Sequence, residues 1–234
     1  MTLNKLTKLA NEHLSDKGLI NPNNGDELGH GYTVLYDNLF HKYIDQDINV
    51  LEMGLKIGGP EFGNMDPNRG SSPSIEMWLE YFPNAHIVGF DISDFSFQQN
   101  DRFTFIQGDS GIDEDITKLV ELKSNYSIIL DDASHLSYHQ QNALKLLWHK
   151  VAPGGYYIIE DLHWQPYQDI WSHFPETPTT YSLFESFFYR NQYINSPLIS
   201  EDFLNEIKEN SSSCILCQSS LSDGKVLIIQ KRDF

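Results

Sequence analysis

The 234-residue sequence has little positive charge, few cysteines and no long apolar run. It contains 16 lysine and arginine residues against 33 aspartates and glutamates, which gives a net charge of −17. Proteins that bind nucleic acid need clustered lysine and arginine to neutralise phosphates, so this deficit argues against a nucleic-acid partner. No apolar run approaches the ~20 residues of a membrane span, so we expect no membrane association.

Two further absences bear on location and chemistry. The first residues, MTLNKLTKLANEHLSDKG, show neither a long apolar core nor a small-residue cleavage site, so we expect a cytoplasmic protein without a signal peptide. The only two cysteines, Cys214 and Cys217, have the C-x-x-C spacing of zinc and redox sites but lack a second ligand pair. Their neighbours are typical of a strand, which predicts that the two side chains point to opposite faces.

Predicted strands and helices alternate along most of the chain, which favours a mostly parallel sheet. Five apolar segments are predicted strands, at 48–55, 86–92, 103–109, 126–132 and 155–161. Near the C-terminus, SSCILCQSS and VLIIQKR flank an Asp-Gly turn and predict an antiparallel hairpin. We therefore expect an α/β fold in one domain over 1–234: a Rossmann-like, seven-stranded, mostly parallel sheet with helices on both faces and a C-terminal antiparallel hairpin.

Local patterns give further expectations around this sheet. Residues 1–45 are predicted to be mainly helical, and the aromatic-rich segment 163–199 is predicted to be a lid or substrate insertion. Ser72 before Pro73 predicts a helix N-cap, and Ser137 with Gln140 has the spacing of a capping box.

Acidic residues stand at the carboxyl ends of the predicted strands, where open α/β sheets bind ligands. Glu52 and Gly54 close the first strand, Asp91 the second and Asp109 the third. Asp91 has the position of an acid that accepts hydrogen bonds from both ribose hydroxyls of a nucleoside. The loop after the first strand contains glycines but not the G-x-G-x-x-G pattern, which disfavours a nicotinamide dinucleotide.

The fourth and fifth predicted strands end in paired acids, in YSIILDDASH and GYYIIED. Neighbouring strands lie ~4.8 Å apart, so Asp132, Glu160 and Asp161 can share one cation. Three oxygen ligands without cysteine suit a hard ion such as Mg²⁺. Glu160 and Asp161 are adjacent, so both can be ligands only if the strand ends there. His135, three residues after Asp132, is the predicted general base for a hydroxyl held at that site.

Together these blocks resemble those of class I S-adenosylmethionine-dependent methyltransferases, and more narrowly the metal-dependent sugar O-methyltransferases of macrolide biosynthesis. The resemblance covers roughly residues 14–165. It is carried by LSDKG, GHGYTVLYDNLF, VLEMGLKIGG, SIEMWLEYFPNAHIVGFDI, FIQGD, IILDDASH and APGGYYIIEDLHWQPY. The D-D-x-S-H and P-G-G-x-Y-x-I-E-D blocks are the specific ones.

The resemblance implies a role for each matching position. It implies that Mg²⁺ is held by Asp132, Glu160 and Asp161 and that His135 is the base. It implies a cofactor site that includes Glu52, Gly54, Asp91 on the ribose and Asp109 near the adenine. The N-terminal block matches at Lys17, His30, Tyr32 and Tyr36, of which Lys17 and Tyr32 are assigned to the cofactor site.

The expected function is methyl transfer from S-adenosylmethionine to a hydroxyl of a sugar or another small natural product, with Mg²⁺. Two alternatives remain open: a catechol-type O-methyltransferase, and a binding module that keeps the fold and the cofactor without the chemistry. Some members of the family carry an additional domain that assembles an oligomer, so a homo-oligomer also stays open.

Overall fold

The computed structural model describes residues 3–20, 29–56, 72–98, 100–166, 173–219 and 221–233. The strands are β1 Asn49–Met53, β2 His86–Asp91, β3 Phe103–Gln107, β4 Tyr126–Asp131, β5 Val151–Ile159, β6 Ser211–Gln218 and β7 Lys225–Lys231. They form one seven-stranded sheet in the order β3-β2-β1-β4-β5-β7-β6. Strands β1 to β5 are parallel, and β7 runs antiparallel to both β5 and β6. The predicted α/β fold with a C-terminal antiparallel hairpin is therefore confirmed.

Helices cover both faces of this sheet. They are α1 Lys5–His13, α2 Tyr32–Phe40, α3 Pro73–Tyr81, α4 Asp113–Leu122, α5 Ser137–Leu147, α6 Thr180–Phe184 and α7 Glu201–Asn210. Two 3₁₀ turns and a π-helical turn extend α2, α5 and α6, at His41–Tyr43, Trp148–Lys150 and Glu185–Tyr189. Within the described ranges, no helix combines the length and the apolar character that crossing a membrane requires.

The core is split into two layers by the sheet, because successive strand residues point to opposite faces. Val50 of β1 belongs to the layer that α1, α2 and α3 cover, whereas Leu51 belongs to the layer under α4 to α7. The two cysteines follow the same rule. Cys217 packs against the first layer and Cys214 against the second, and both are free thiols, as their strand positions predict.

The two predicted helix starts have different outcomes. Ser72 is the N-cap residue of α3 and Pro73 is its first residue, as predicted, although the Ser72 hydroxyl makes no capping hydrogen bond and donates to the carbonyl of Leu55, 2.9 Å away. Ser137 is the first residue of α5 and not its N-cap, and its hydroxyl donates to Oε1 of Gln165. The capping box at Ser137 was therefore wrong, because a tertiary acceptor took the hydroxyl that a local pattern assigns to the helix end.

The helical part of segment 163–199 belongs to the core. Leu183, Phe184 and Phe187 are buried in the layer under α4 to α7, and Gln141 of α5 donates to the carbonyl of Pro178 at 2.7 Å. Residues 167–172, with two of the aromatics that suggested a lid, lie outside the described residues. The lid or substrate insertion stays a prediction.

The carboxyl ends of β1 and β4 approach each other very closely. Gly54 has φ of +83°, and its amide donates to the carbonyl of Phe90 at 2.8 Å. A Cβ at Gly54 would collide with the backbone carbonyl of Asp132, so only glycine fits between the two strand ends.

We expect Gly54→Ala to lower the free energy of unfolding by at least about 2 kcal/mol, because alanine is strained at positive φ and meets backbone that cannot move aside. Urea unfolding followed by circular dichroism measures this. The control is Gly89→Ala, where a Cβ would meet only the ends of the Phe103 and Leu55 side chains. Equal losses in the two variants would contradict the close-approach explanation.

Candidate active site

The strand order brings the predicted site residues to one edge of the sheet. Parallel strands β1, β4 and β5 are neighbours, so their carboxyl ends lie side by side. The register pairs Asp131 with Ile159, which sets Asp132 beside Glu160 just past the two strands. Strand β5 ends at Ile159, so the condition under which Glu160 and Asp161 can face one site is met.

Lys17 is the centre of this acidic cluster. Its side chain is buried, and its ammonium forms ion pairs with Glu160 at 3.0 Å, with Glu52 at 3.5 Å and, in short contact, with Asp132. Trp78 donates from Nε1 to the other oxygen of Glu52 at 3.2 Å. Residues from β1, β4 and β5 therefore share one cation that comes from the N-terminal part of the chain.

Two tyrosines of α2 reach the same acids. The hydroxyl of Tyr36 donates to Oε1 of Glu160 at 2.8 Å, and that of Tyr32 donates to Oδ1 of Asp161 at 2.5 Å. The His30 ring stacks on Tyr32, and its Nδ1 lies 3.7 Å from Asp161. Each of the three predicted metal-binding carboxylates thus touches a side chain from residues 17–36.

His135 and Asp161 both have a left-handed backbone, with φ of +60° and +53°. One ligand atom from each of Asp132, His135 and Asp161 lies within 4.8 Å of the other two, so these three side chains could hold one metal ion. Among the described residues Glu160 is outside that group, because its carboxylate is turned towards Lys17 and Tyr36. The metal role of Glu160 stays a prediction.

A clamp that the sequence did not reveal fixes the loop of His135. Gln165 donates from Nε2 to the carbonyl of His135 at 3.0 Å, while its Oε1 accepts from the amide of Ser137 at 3.1 Å. The ring of Trp164 meets the His135 ring edge-on, with centroids 5.4 Å apart. These contacts join residues about thirty positions apart, so no local pattern could have shown them.

The predicted cofactor acids lie at the ends of β2 and β3. The carboxylate of Asp91 accepts from the amides of Leu55 at 2.7 Å and Ser93 at 2.8 Å, which ties the end of β2 to the turn after β1. Asp109 accepts from the amide of Gly111 at 2.8 Å, and its Oδ1 lies 3.8 Å from Nε2 of His139.

The predicted site residues therefore divide into two sets. The set around the acids of β4 and β5 contains Lys17, Tyr32, Glu52, Asp132, His135, Glu160 and Asp161. The other set is at the ends of β2 and β3 and contains Asp91 and Asp109. Gly54 lies between the two sets, because its amide donates to Phe90 of β2 and its Cα faces the backbone of Asp132. Lys17 and Tyr32, which were predicted to contact cofactor, contact predicted metal ligands, and their cofactor role stays a prediction.

The charges of the cluster are unbalanced. Burial raises the pKa of Glu52 to about 7 and raises the pKa of Glu160 and of Asp132 above the usual range, although Lys17 opposes each rise. Burial alone would lower the pKa of Lys17, but the carboxylates of Asp132, Glu160 and Glu52 outweigh it and hold that pKa above its ordinary value. Two buried carboxylates, Glu52 and Glu160, and the half-buried Asp132 share one ammonium, so the site can accept more positive charge.

Comparison with curated proteins finds sugar O-methyltransferases. The 8-demethyl-8-(2-methoxy-alpha-L-rhamnosyl)-tetracenomycin-C 3'-O-methyltransferase of Streptomyces olivaceus is 36% identical over 162 residues, which is 69% of this chain and 37% of that protein. The mycinamicin VI 2''-O-methyltransferase of Micromonospora griseorubida is 36% identical over 141 residues, which is 59% of this chain and 33% of that protein. Each match spans less than two fifths of the relative's length. No family model matches the chain.

Among solved structures, the MycE methyltransferase from the mycinamycin biosynthetic pathway, in complex with Mg and SAH, has a similar fold. Its TM-score is 0.70 at 24% sequence identity, and the match covers 99% of this chain and 55% of that chain. The chain therefore has the fold of this methyltransferase, and part of its sequence is similar to part of the tetracenomycin and mycinamicin sugar O-methyltransferases.

We expect Lys17→Met to lower the free energy of unfolding of the metal-free protein by about 3–5 kcal/mol, because removing one partner leaves buried carboxylates without a counter-charge. Urea unfolding in EDTA measures the loss. Lys42→Met is the control, because Lys42 donates to the carbonyl of Gly154 and contacts Tyr43 and Tyr156 instead of the acidic cluster. If Lys17→Met were as stable as the wild type, the ammonium would not be needed to keep these acids buried.

Proposed function

We propose that this chain is an S-adenosylmethionine- and Mg²⁺-dependent O-methyltransferase that acts on a hydroxyl of a sugar carried by a small natural product. The observation that carries the proposal is the convergence of Asp132, Glu160, Asp161 and His135 at the ends of β4 and β5. The named relatives act on rhamnosylated tetracenomycin and on mycinamicin VI, which supports a glycosylated acceptor.

The residues present fit a divalent cation. Asp132 and Asp161 offer hard oxygen donors close to each other, with His135 beside them, and Glu160 would become the third oxygen ligand by turning from Lys17 to the metal. Lys17 already stands in this cluster as a cation, which shows that the acids are arranged around positive charge. Asp132, Asp161 and Glu160 would hold the metal, which would supply the charge that polarises the acceptor oxygens.

The ends of β1, β2 and β3 fit a nucleoside cofactor. Asp91 ends β2 and is held by the turn that follows β1, and this strand end is the position at which parallel sheets bind the ribose of a nucleotide, which supports a ribose contact. Glu52 and Gly54 close β1 beside it, and Asp109 follows β3. The glycine-containing loop 57–71, also predicted to approach the cofactor, lies outside the described residues. S-adenosylmethionine would supply an activated methyl group, so the protein has to position the acceptor and accept its proton.

His135 is the side chain best suited to accept that proton. No described residue hydrogen-bonds its Nδ1, and its ring is oriented by Trp164 and by the Gln165 clamp on its backbone. It lies beside Asp132 and Asp161, so a hydroxyl bound at the acids would be within its reach. His30 lies beside Asp161 and Trp164 lies beside His135, and their partly exposed rings are surfaces on which a sugar could pack. The homo-oligomer stays a prediction.

A thermal-shift panel tests the proposal directly. We expect S-adenosylmethionine and S-adenosylhomocysteine to raise the unfolding midpoint, Mg²⁺ to raise it further, and NAD to leave it unchanged, because a ligand that binds only the native state stabilises it. At about 100 times its dissociation constant, such a ligand adds about 2.7 kcal/mol. Stabilisation by NAD in place of S-adenosylmethionine would overturn the proposed cofactor.

An assay of methyl transfer to rhamnosides and to catechols then distinguishes a sugar O-methyltransferase from a catechol-type O-methyltransferase. Absence of turnover on both acceptors favours a binding module.

We expect His135→Ala to lower kcat by about 10²–10⁴-fold, which is the usual contribution of a positioned general base. S-adenosylhomocysteine affinity should stay unchanged, because a base is not a cofactor contact. The affinity for Mg²⁺, measured by calorimetry, decides whether His135 is the general base or a metal ligand. Unchanged affinity supports the base, and a defect confined to metal binding would show that His135 is a ligand instead.

A further inference from the structure

Helix α2 supplies hydrogen-bond donors to two of the predicted metal ligands. Tyr32 and Tyr36 are four residues apart, so their side chains lie on one face of the helix, one turn from each other. Tyr32 donates to Asp161 and Tyr36 donates to Glu160. Both rings are buried, with 4% and 0% of their surface exposed, so packing fixes the positions of the hydroxyls.

The two donors act on adjacent carboxylates that point different ways. Glu160 has Tyr36 on one oxygen and Lys17 on the other, whereas Asp161 has Tyr32 on Oδ1. Asp161 also has a left-handed backbone, a conformation that costs about 1–3 kcal/mol outside glycine and persists only where surrounding contacts hold it. The hydrogen bond from Tyr32 is one such contact.

A phenol hydroxyl differs from a second lysine ammonium because it carries no positive charge. It fixes the orientation of a carboxylate without adding positive charge, so it does not compete with a cation for the same acid. Lys17 supplies the fixed positive charge of the cluster, and the tyrosine hydroxyls only fix the orientation of the carboxylates that they contact.

We propose that Tyr32 is a positioning residue that holds the Asp161 carboxylate in the orientation in which it lies beside Asp132 and His135 and binds a divalent cation, whereas Tyr36 holds Glu160 beside Lys17 and outside that group. The inference rests on the proposed metal-dependent function and names a residue of α2 that the metal site needs. Partners that orient metal ligands typically contribute about 10–100-fold to metal affinity.

Gly224, in the turn between β6 and β7, allows the role of the Tyr32 hydroxyl to be tested by a second, independent substitution. A Cβ at Gly224 would collide with the hydroxyl of Tyr32, so this hydroxyl reaches Asp161 only because residue 224 has no side chain. Gly224→Ala should therefore displace the hydroxyl while it leaves Tyr32 and every acid in the sequence.

The experiment is a Mn²⁺ titration of the full chain, read by the loss of the free-ion signal in electron paramagnetic resonance, with S-adenosylhomocysteine affinity measured in parallel. We expect Tyr32→Phe to weaken Mn²⁺ binding by about 10–100-fold, and Tyr36→Phe to weaken it less, because Glu160 lies outside the group of Asp132, His135 and Asp161. The parallel S-adenosylhomocysteine titration shows whether Tyr32 contacts the cofactor as well. The matched control is Tyr43→Phe. It removes a buried 2.8 Å hydrogen bond to the carbonyl of Gly154, away from the acids, and should leave Mn²⁺ affinity unchanged.

Gly224→Ala should weaken Mn²⁺ binding about as much as Tyr32→Phe does. In the Tyr32→Phe background its further effect should be smaller, because the hydroxyl is already gone and only the weaker contact with the ring atom Cζ remains. Fully additive losses would show that Gly224→Ala acts by another route and would overturn the positioning role of Tyr32.

The outcomes separate this inference from the proposed function. If the wild type binds Mn²⁺ and Tyr32→Phe binds it equally well, the positioning role is wrong and the metal site stands. If Tyr43→Phe weakens binding as much as Tyr32→Phe does, the effect is general loss of stability and the inference fails. If the wild type binds no Mn²⁺, the proposed metal site fails and the inference fails with it.

Discussion

The ion pairs of Lys17 at the ends of β1, β4 and β5 are the interaction on which the rest of the site depends. Buried carboxylates are costly unless they are paired, and Glu52, Asp132 and Glu160 all face this one ammonium. Because Lys17 lies between α1 and α2, the acids can be buried only when the N-terminal segment is folded over the strand ends. Folding of that segment and assembly of the site are therefore one event.

Sharp reversals of the backbone at the strand ends are the second constraint. Gly54, His135 and Asp161 all have positive φ, and they follow β1, β4 and β5. Gly54 allows two strand ends to approach closely, while the two non-glycine residues turn their side chains back towards the acids. Such strained residues concentrate at functional sites and need compensating contacts. Gln165 provides one for His135, and Tyr32 provides one for Asp161.

Local pattern predicted the sheet well and the helix ends poorly. Runs of apolar residues marked β1 to β5, because a strand covered on both faces must be apolar on both. Ser72 is the N-cap residue of α3 as predicted, but the capping box at Ser137 was wrong, and both hydroxyls found an acceptor from another part of the chain. A hydroxyl is equally good at capping its own helix and at bonding a distant carbonyl or amide, so sequence spacing cannot choose between them.

The sequence by itself determined the class of the fold and the list of acids at the strand ends, since both follow from the order of apolar runs and the residues just after them. Only the tertiary structure decided which groups those acids contact. Lys17 meets Asp132 and Glu160 from 115 and 143 positions away, and Tyr32 meets Asp161 from 129. A carboxylate can pair with an ammonium, a phenol or a metal ion, and nothing in its local sequence selects among them. The packing of α1 and α2 against the sheet makes that selection, because it fixes which donor reaches each strand end.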